Sequence, residues 1–197
     1  MHIYIVFCHP SRQSFTYSVL ESFLAGLRET QHSYELGDLY QMNFQSDMIL
    51  EQYEREVSYK PELPVPDDVR CEQEKIDRAD ALVFIYPVWW SDCPAKLKGW
   101  FDRVWTMGYA YGFEKGVHKT LGIKAKKALV ICTAGHPNEL LEQAGIAQSM
   151  RTIFLNDRLS GVGIKDVQME ILGGMVSQLP DVKMNNLEKA YFLGRDF

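Results

Sequence analysis

No stretch of the chain is apolar for long enough to span a bilayer, which takes about 20 consecutive residues in a helix. Cysteine is scarce: Cys8, Cys71, Cys93 and Cys132 are scattered over 197 residues without a C-x-x-C. That spacing offers no disulfide framework. The five histidines also lack metal-ligand spacing with a cysteine or with one another, so no metal site is expected. Basic runs are missing too. With a net charge of −5 and a pI near 5.6, nucleic acid and anionic membrane are not the expected partners. No signal-peptide pattern occurs, and with so few cysteines a cytoplasmic location is expected. The phosphate fingerprints G-x-G-x-x-G and G-x-x-x-x-G-K-[ST] and the nucleophile elbow G-x-S-x-G are absent. Their absence counts against a tightly bound Rossmann dinucleotide, P-loop chemistry and α/β-hydrolase chemistry.

What is present reads as one ordinary globular domain over residues 1–197. The hydrophobic share is 46% and the charged share 24%, and a chain of this size buries roughly 70% of its unfolded surface. No internal repeat or low-complexity linker interrupts it. His2 to Phe7 is a short β-branched and aromatic run, the composition of a buried strand, and it stops at His9-Pro10-Ser11. From Ser14, Val19, Leu20, Phe23, Leu24 and Leu27 recur at helical spacing to about Thr30. A weaker strand fits Ser33–Gly37. Residues 38–66 are polar with three late prolines, a long excursion with room for a short helix. A helix over Asp67–Ala79 follows, with Asp67 or Asp68 as its N-cap.

Ala81–Tyr86 is nearly all apolar, as in a strand covered on both faces, and ends at Pro87. Pro94 suits a first helical turn, and Leu97, Trp100, Phe101, Val104 and Trp105 mark the inner stripe behind it. Ala128–Cys132 is a further strand. A helix is expected around Leu140–Leu159 with Ile146, Met150, Ile153 and Phe154 inward, then a strand near Val167–Leu172 and a helix near Leu187–Leu193. Cys8 and Cys132 lie in apolar runs and read as small core residues. Strands alternating with helices define an α/β fold: a three-layer sandwich with a five-stranded parallel sheet and helices on both faces.

In open parallel sheets, ligands bind beyond the carboxyl ends of the strands. Those ends are His9–Thr16, Pro87–Ser91 and Thr133–Pro137. The first enters a helix N-terminus, where free N–H groups and hydroxyls favour a phosphate. The second sets Trp89 and Trp90 beside a proline, a wall for a planar ring. The third offers a hydroxyl and Gly135, which admits close backbone approach. Each has a plainer reading as helix cap, core aromatic or structural residue. Their convergence on one end of the sheet favours a flat, partly anionic ligand.

The run Tyr86-Pro-Val-Trp-Trp-Ser-Asp-Cys-Pro-Ala-Lys-Leu-Lys-Gly-Trp-Phe-Asp-Arg-Val-Trp105, continuing to Gly108-Tyr-Ala-Tyr-Gly112, resembles the flavodoxin-like NAD(P)H:quinone oxidoreductase family, including its short bacterial members. His9–Thr16, Asp38-Leu39-Tyr40, Glu72-Gln73 and Ala79-Asp80 agree with the same pattern over most of the first 135 residues. The resemblance implies a flavodoxin-like sheet and a homodimer with FMN, or alternatively FAD, at its interface. It further implies two-electron, ping-pong hydride transfer from NAD(P)H to a quinone-like acceptor. By motif, His9, Ser14, Phe15 and Thr16 would hold the flavin phosphate and ribityl chain. Pro87, Val88, Trp89 and Trp90 would border the ring, and Thr133, Ala134 and Gly135 would close its polar edge. Tyr111 and Phe113 match aromatics that a partner subunit lends to the substrate pocket; simple packing at a dimer contact is the alternative. Where the family keeps a Tyr and a His that assist hydride transfer, an ungapped count places Leu141 and Ala147, which can donate nothing. His136 is then the candidate catalytic substitute. A nitro- or azo-reductase is a rival reading in the same chemistry. An ancillary subunit of a potassium-efflux system, with a membrane transporter as partner, is a rival from another class.

Overall fold

The computed structural model describes residues 1–176 and 180–197. In chain order it runs β1 (His2–Phe7), α1 (Phe15–Leu27), β2 (Ser33–Asp38), α2 (Leu50–Val57), α3 (Asp67–Arg78), β3 (Ala81–Pro87) and α4 (Ala95–Val104). It continues through β4 (Tyr111–Glu114), β5 (Val117–Thr120), β6 (Lys127–Thr133), α5 (Asn138–Gln143), α6 (Ile146–Arg151), a wide π-helical segment (Thr152–Leu159), β7 (Asp166–Leu172) and α7 (Pro180–Arg195). Among the described residues, five strands form one parallel sheet in the order β2-β1-β3-β6-β7. The expected fold class is therefore the observed one. The chain doubles back between β1 and β3, and the crevice at that reversal is where such sheets take ligands.

Alternation sorts each strand's residues onto two faces. Ile3, Ile5 and Phe7 meet Val19, Leu20, Phe23 and Leu27 of α1 on one side. Tyr4, Val6, Phe84 and Tyr86 face Trp100, Phe101 and Phe154 on the other. Here Phe84 packs against three aromatic rings, at centroid distances of 5.7 Å to Trp100, 5.3 Å to Phe101 and 5.5 Å to Phe154. Glu72 is a buried charge in this layer. It accepts from Tyr4 Oη and Trp100 Nε1 and pairs with Lys75 Nζ at 2.6 Å. With three donors spread over both of its oxygens, the carboxylate is tolerated without exposure. Cys8 and Cys132 are buried as expected.

Several expectations need correction. Ser14 does cap α1, accepting from Tyr17 N–H at 3.1 Å, but α3 starts on Pro66 without a side-chain cap. Asp67 is already its first helical residue, and Asp68 is drawn instead into an ion pair with Arg103. The helix expected over Leu140–Leu159 breaks at Gly145, whose φ of +71° is a left-handed conformation that glycine adopts freely. Ile153 faces solvent rather than the core. Phe154 is buried as expected, and along the wider turn from Thr152 it is joined in the interior by Arg158 and Leu159, which the apolar pattern did not mark. The last helix is longer than its apolar stripe suggested. It packs tightly on α1, because a Cβ on Gly26 would run into Tyr191 O and one on Gly194 into Phe23 O. The antiparallel ribbon β4–β5 was not anticipated: its positions are exposed or half-buried, leaving no alternation to read.

Candidate functional site

The carboxyl ends of β1, β3 and β6 lie side by side, so the three candidate segments meet. Val88 N–H donates to Thr133 O at 2.8 Å, and the Thr16 and Thr133 hydroxyls lie 2.8 Å apart in the interior. The His9 and Trp89 rings approach edge-on, with centroids 6.0 Å apart. Between β3 and β6 opens a cleft of about 390 Å³ lined by Val88, Trp90, Ser91, Ala134, Gly135, His136, Leu141 and Ile146.

The segment after β1 is shaped by short-range bonds. Ser11 Oγ accepts from Gln13 N–H at 3.1 Å, Ser14 N–H donates to Ser11 O at 3.3 Å, and Ser14 Oγ caps α1. His9 Nδ1 lies 3.0 Å from both the N–H and the carbonyl oxygen of Ser11. Partial burial lowers the His9 imidazole below its ordinary 6.5, against the opposing pull of the Ser11 hydrogen bond. The amides of Phe15 and Thr16 find no acceptor among the described residues. They are the free donors of a first helical turn, suited to an anion. Thr16 Oγ1 is paired with Thr133 Oγ1, whereas Ser14 Oγ only accepts in its cap bond, so the Ser14 O–H can join these amides as a donor.

The segment after β3 is built differently. Trp89 and Asp92 exchange backbone hydrogen bonds of 2.9 and 3.3 Å around a tight turn whose central residues, Trp90 and Ser91, have φ of +48° and +67°. Two consecutive left-handed residues define a type I′ turn, a geometry that favours Asn-Gly. For residues with a Cβ this backbone costs roughly 1–2 kcal/mol each. Trp90 is fully exposed and its neighbour Trp89 nearly half so. The turn is anchored by Asp92, whose two oxygens meet Arg158 Nη1 at 3.0 Å and Nη2 at 2.8 Å. Burial pushes the Asp92 carboxyl up, but the Arg158 and Cys93 hydrogen bonds outweigh it and hold the group below the usual carboxylate range.

The segment after β6 supplies the third wall. Ala134 N–H is taken by Leu172 O at 3.0 Å. A Cβ on Gly135 would crowd Val176 at 3.2 Å. His136 is exposed and lines the cleft together with Leu141, while Ala147 is buried. Tyr111 and Phe113 do not line this cleft. Phe113 instead borders a second hollow of about 440 Å³ with Tyr59, Met107 and Leu121, and its ring lies 5.4 Å from that of Tyr59. Tyr111 stacks on His118 at 5.5 Å and donates to Glu56 Oε2 at 3.3 Å. His118, Glu56, Asp92 and Arg158 were not singled out from the sequence. Arg158 lies 66 residues from Asp92 and carries no local signal. Burial raises the thiols of Cys8 and Cys93 to about 12, so neither is a ready nucleophile beside the cleft. Among the described residues no group of His, Cys, Asp and Glu could hold a metal ion, and no helix is long and apolar enough to cross a membrane.

A doubly covered parallel sheet in the order β2-β1-β3-β6-β7, with three loops converging at its reversal, is the flavodoxin-like arrangement. The chain belongs to the flavodoxin-like fold family, whose model matches residues 1–191, and within it to the NAD(P)H:quinone oxidoreductases that the Tyr86–Gly112 motif resembles. It is 57% identical to an NAD(P)H:quinone oxidoreductase from Methanothermobacter marburgensis, with a TM-score of 0.94 over 100% of this chain and 98% of that one. NAD(P)H dehydrogenase [quinone] 1 of Cavia porcellus is 30% identical over 91% of this chain and 70% of its own length. A ribosyldihydronicotinamide dehydrogenase-like protein of Penicillium crustosum is 31% identical over 78% of this chain, which spans 65% of that relative's length. An FMN-dependent NADH-azoreductase from Bacillus anthracis, solved with FMN, has a TM-score of 0.74 over 99% of this chain and 98% of its own. At 18% identity that likeness is one of fold.

Proposed function

We propose that the chain is a flavin-dependent NAD(P)H:quinone oxidoreductase acting in the cleft between β3 and β6. The observation that carries this reading is the meeting of three unlike groups at one end of the sheet: exposed Trp90 and the Ala134–His136 backbone line the cleft, and the α1 N-terminus with its free amides joins them through the Thr16–Thr133 contact. The comparisons support it through the 57% identity to a protein of that activity. The residues present suit an elongated ligand with a phosphate at one end and a flat ring at the other. Phe15 and Thr16 N–H would receive the phosphate, with His9 beside it. Pro87, Val88, Trp89 and Trp90 would flank the ring, and Thr133, Ala134 and Gly135 would border its polar edge. FMN is the form we propose, with FAD the alternative.

A bound flavin supplies two-electron transfer between NAD(P)H and a quinone. The protein's part is to hold donor and acceptor in turn against one face of the cleft and to keep water from it. Leu141 and Ala147 cannot move a proton, and His136 at the cleft is the group we assign to that task. The exposed apolar surface around Tyr59, Phe113 and Val117 supports a homodimer in which a second copy covers it. In cells the protein would work in the cytoplasm.

Yellow colour on purification, FMN identified by mass spectrometry of the released cofactor, and NAD(P)H oxidation stimulated by menadione are the expected results. Colourless protein that takes up neither FMN nor FAD would overturn the reading. His136→Ala should slow flavin reduction by NAD(P)H by roughly 10²-fold if the imidazole handles the proton. An unchanged rate removes His136 from the mechanism.

A further inference from the structure

Arg158 has no role in the chemistry described so far, yet it occupies a costly position. Its guanidinium lies in the core, 5.4 Å from the ring centres of both Phe101 and Phe154, and its side chain is 8% exposed. A buried cation is tolerated only where it is paired, and an apolar residue of similar size would fill the space at least as well. The pairing is specific. Both terminal nitrogens reach Asp92, the closing residue of the left-handed turn, and Nη1 also lies 3.4 Å from Cys93 Sγ. The backbone behind it is fixed as well, because Trp105 Nε1 donates to Arg158 O at 2.9 Å. Arg158 reaches this place because the wide turn of residues 152–159 brings Phe154 and Arg158 inward together. Such wide turns recur where a helix re-aims a side chain for function.

The turn so anchored is strained where strain matters. Trp90 and Ser91 both carry a Cβ in left-handed backbone, and both line the cleft. Backbone held in this way persists only when its surroundings over-determine it. Two backbone bonds between Trp89 and Asp92 close the turn from within. The bidentate grip on Asp92 closes it from the core.

We infer that Arg158 is a positioning residue: through Asp92 it holds the left-handed Trp90-Ser91 turn, and with it the Trp90 wall, in the shape that receives the flavin. The flavin half of this inference rests on the proposed function; the hold on the turn does not. It assigns a site role to a residue that touches neither ligand nor cleft.

The test compares wild type, Asp92→Asn and Arg158→Met, each with and without Ser91→Gly. Asn keeps an acceptor for Cys93 N–H, bound by Asp92 at 2.7 Å, while losing the charge pair. Ser91→Gly makes the left-handed backbone intrinsically acceptable at one of its two positions. Amide hydrogen exchange across residues 88–93 reads the turn without any cofactor, and titration with FMN reads the wall. Breaking the pair should speed exchange at Trp89 and Asp92 and weaken FMN binding about tenfold, the ratio matching release of one strained residue. Adding Ser91→Gly should restore most of both. A residue that merely fills the core would show no such recovery. Exchange that stays slow without the pair, or a loss that Ser91→Gly leaves unrepaired, would overturn the inference. Should Arg158→Met not fold, Asp92→Asn, whose side chain is 39% exposed, decides by the same two readouts. If wild type binds neither FMN nor FAD, the functional reading fails while the exchange data still judge the hold on the turn.

Discussion

The loop after β1 is held by residues two or three positions away: Ser11 by Gln13 and Ser14, and Ser14 by Tyr17. The loop after β3 is held from 66 positions away, by an arginine rising out of the core. The first has no left-handed residue; the second has two in succession. A phosphate needs only free amides in a fixed direction, and a helix start provides that by itself. A ring needs a flat wall displaced from the strand axis, and the backbone reaches that position only by leaving its favoured regions. Local sequence can build the first kind of subsite. The second requires a tertiary brace.

Stability measurements can break this contrast. Arg158→Met should have the largest effect, about 2 kcal/mol in urea denaturation. That is less than the 3–5 kcal/mol of a fully buried pair, because Asp92 is 39% exposed and partly screened. A loss below about 0.5 kcal/mol would mean that the turn stands without its brace. Next comes the junction of the loops. Thr133→Val leaves Thr16 Oγ1 buried without its partner and should cost about 1–2 kcal/mol, whereas Thr16→Val with Thr133→Val should lie close to wild type. If the double variant is the worse of the two, the hydroxyl pair is cooperative with something further. Ser14→Ala removes a local cap and should cost about 1 kcal/mol. If it exceeds Arg158→Met, the loop after β1 is not the self-supporting one.

The smallest effect is a titration. His9 has a folded value below its ordinary 6.5, so the fold favours the neutral ring. Its contribution to stability is therefore present above pH 6.5 and is lost as pH falls through the lowered folded value. NMR titration of the His9 ring in ligand-free protein should give a midpoint under 6.5, rising when a phosphate-bearing ligand binds. Asp92 has the same sign in a more acidic window: its stabilisation is present above the ordinary carboxylate value, about 3.9, and is lost as pH falls through its depressed folded one. On acidification from neutral pH the His9 contribution should go first, and the braced turn should loosen only at the lower pH.

How much of this could be read from residues alone varied with the range of the forces involved. The parallel sheet was legible because runs such as Ala81–Tyr86 and Ala128–Cys132 are apolar on both faces, and α4 because its stripe keeps strict helical spacing. The three loops were legible because strand ends are where such sheets place ligands. Ile153 was misread because a π turn changes the period within a helix. The β4–β5 ribbon escaped because neither face is buried, and the partners of Tyr111 escaped because His118 and Glu56 carry no pattern of their own.

Hydrophobic periodicity and breaker residues, acting over a few neighbours, thus sufficed for the five strands of the main sheet, the helices between them in outline, and the end of the sheet where the candidate residues meet. The shape of the crevice there depended on contacts between residues far apart in the chain. Thr16 meets Thr133, and Asp92 meets Arg158. Pairings of that range depend on how the layers stack, since a strained turn such as Trp90-Ser91 survives only after distant groups have closed around it.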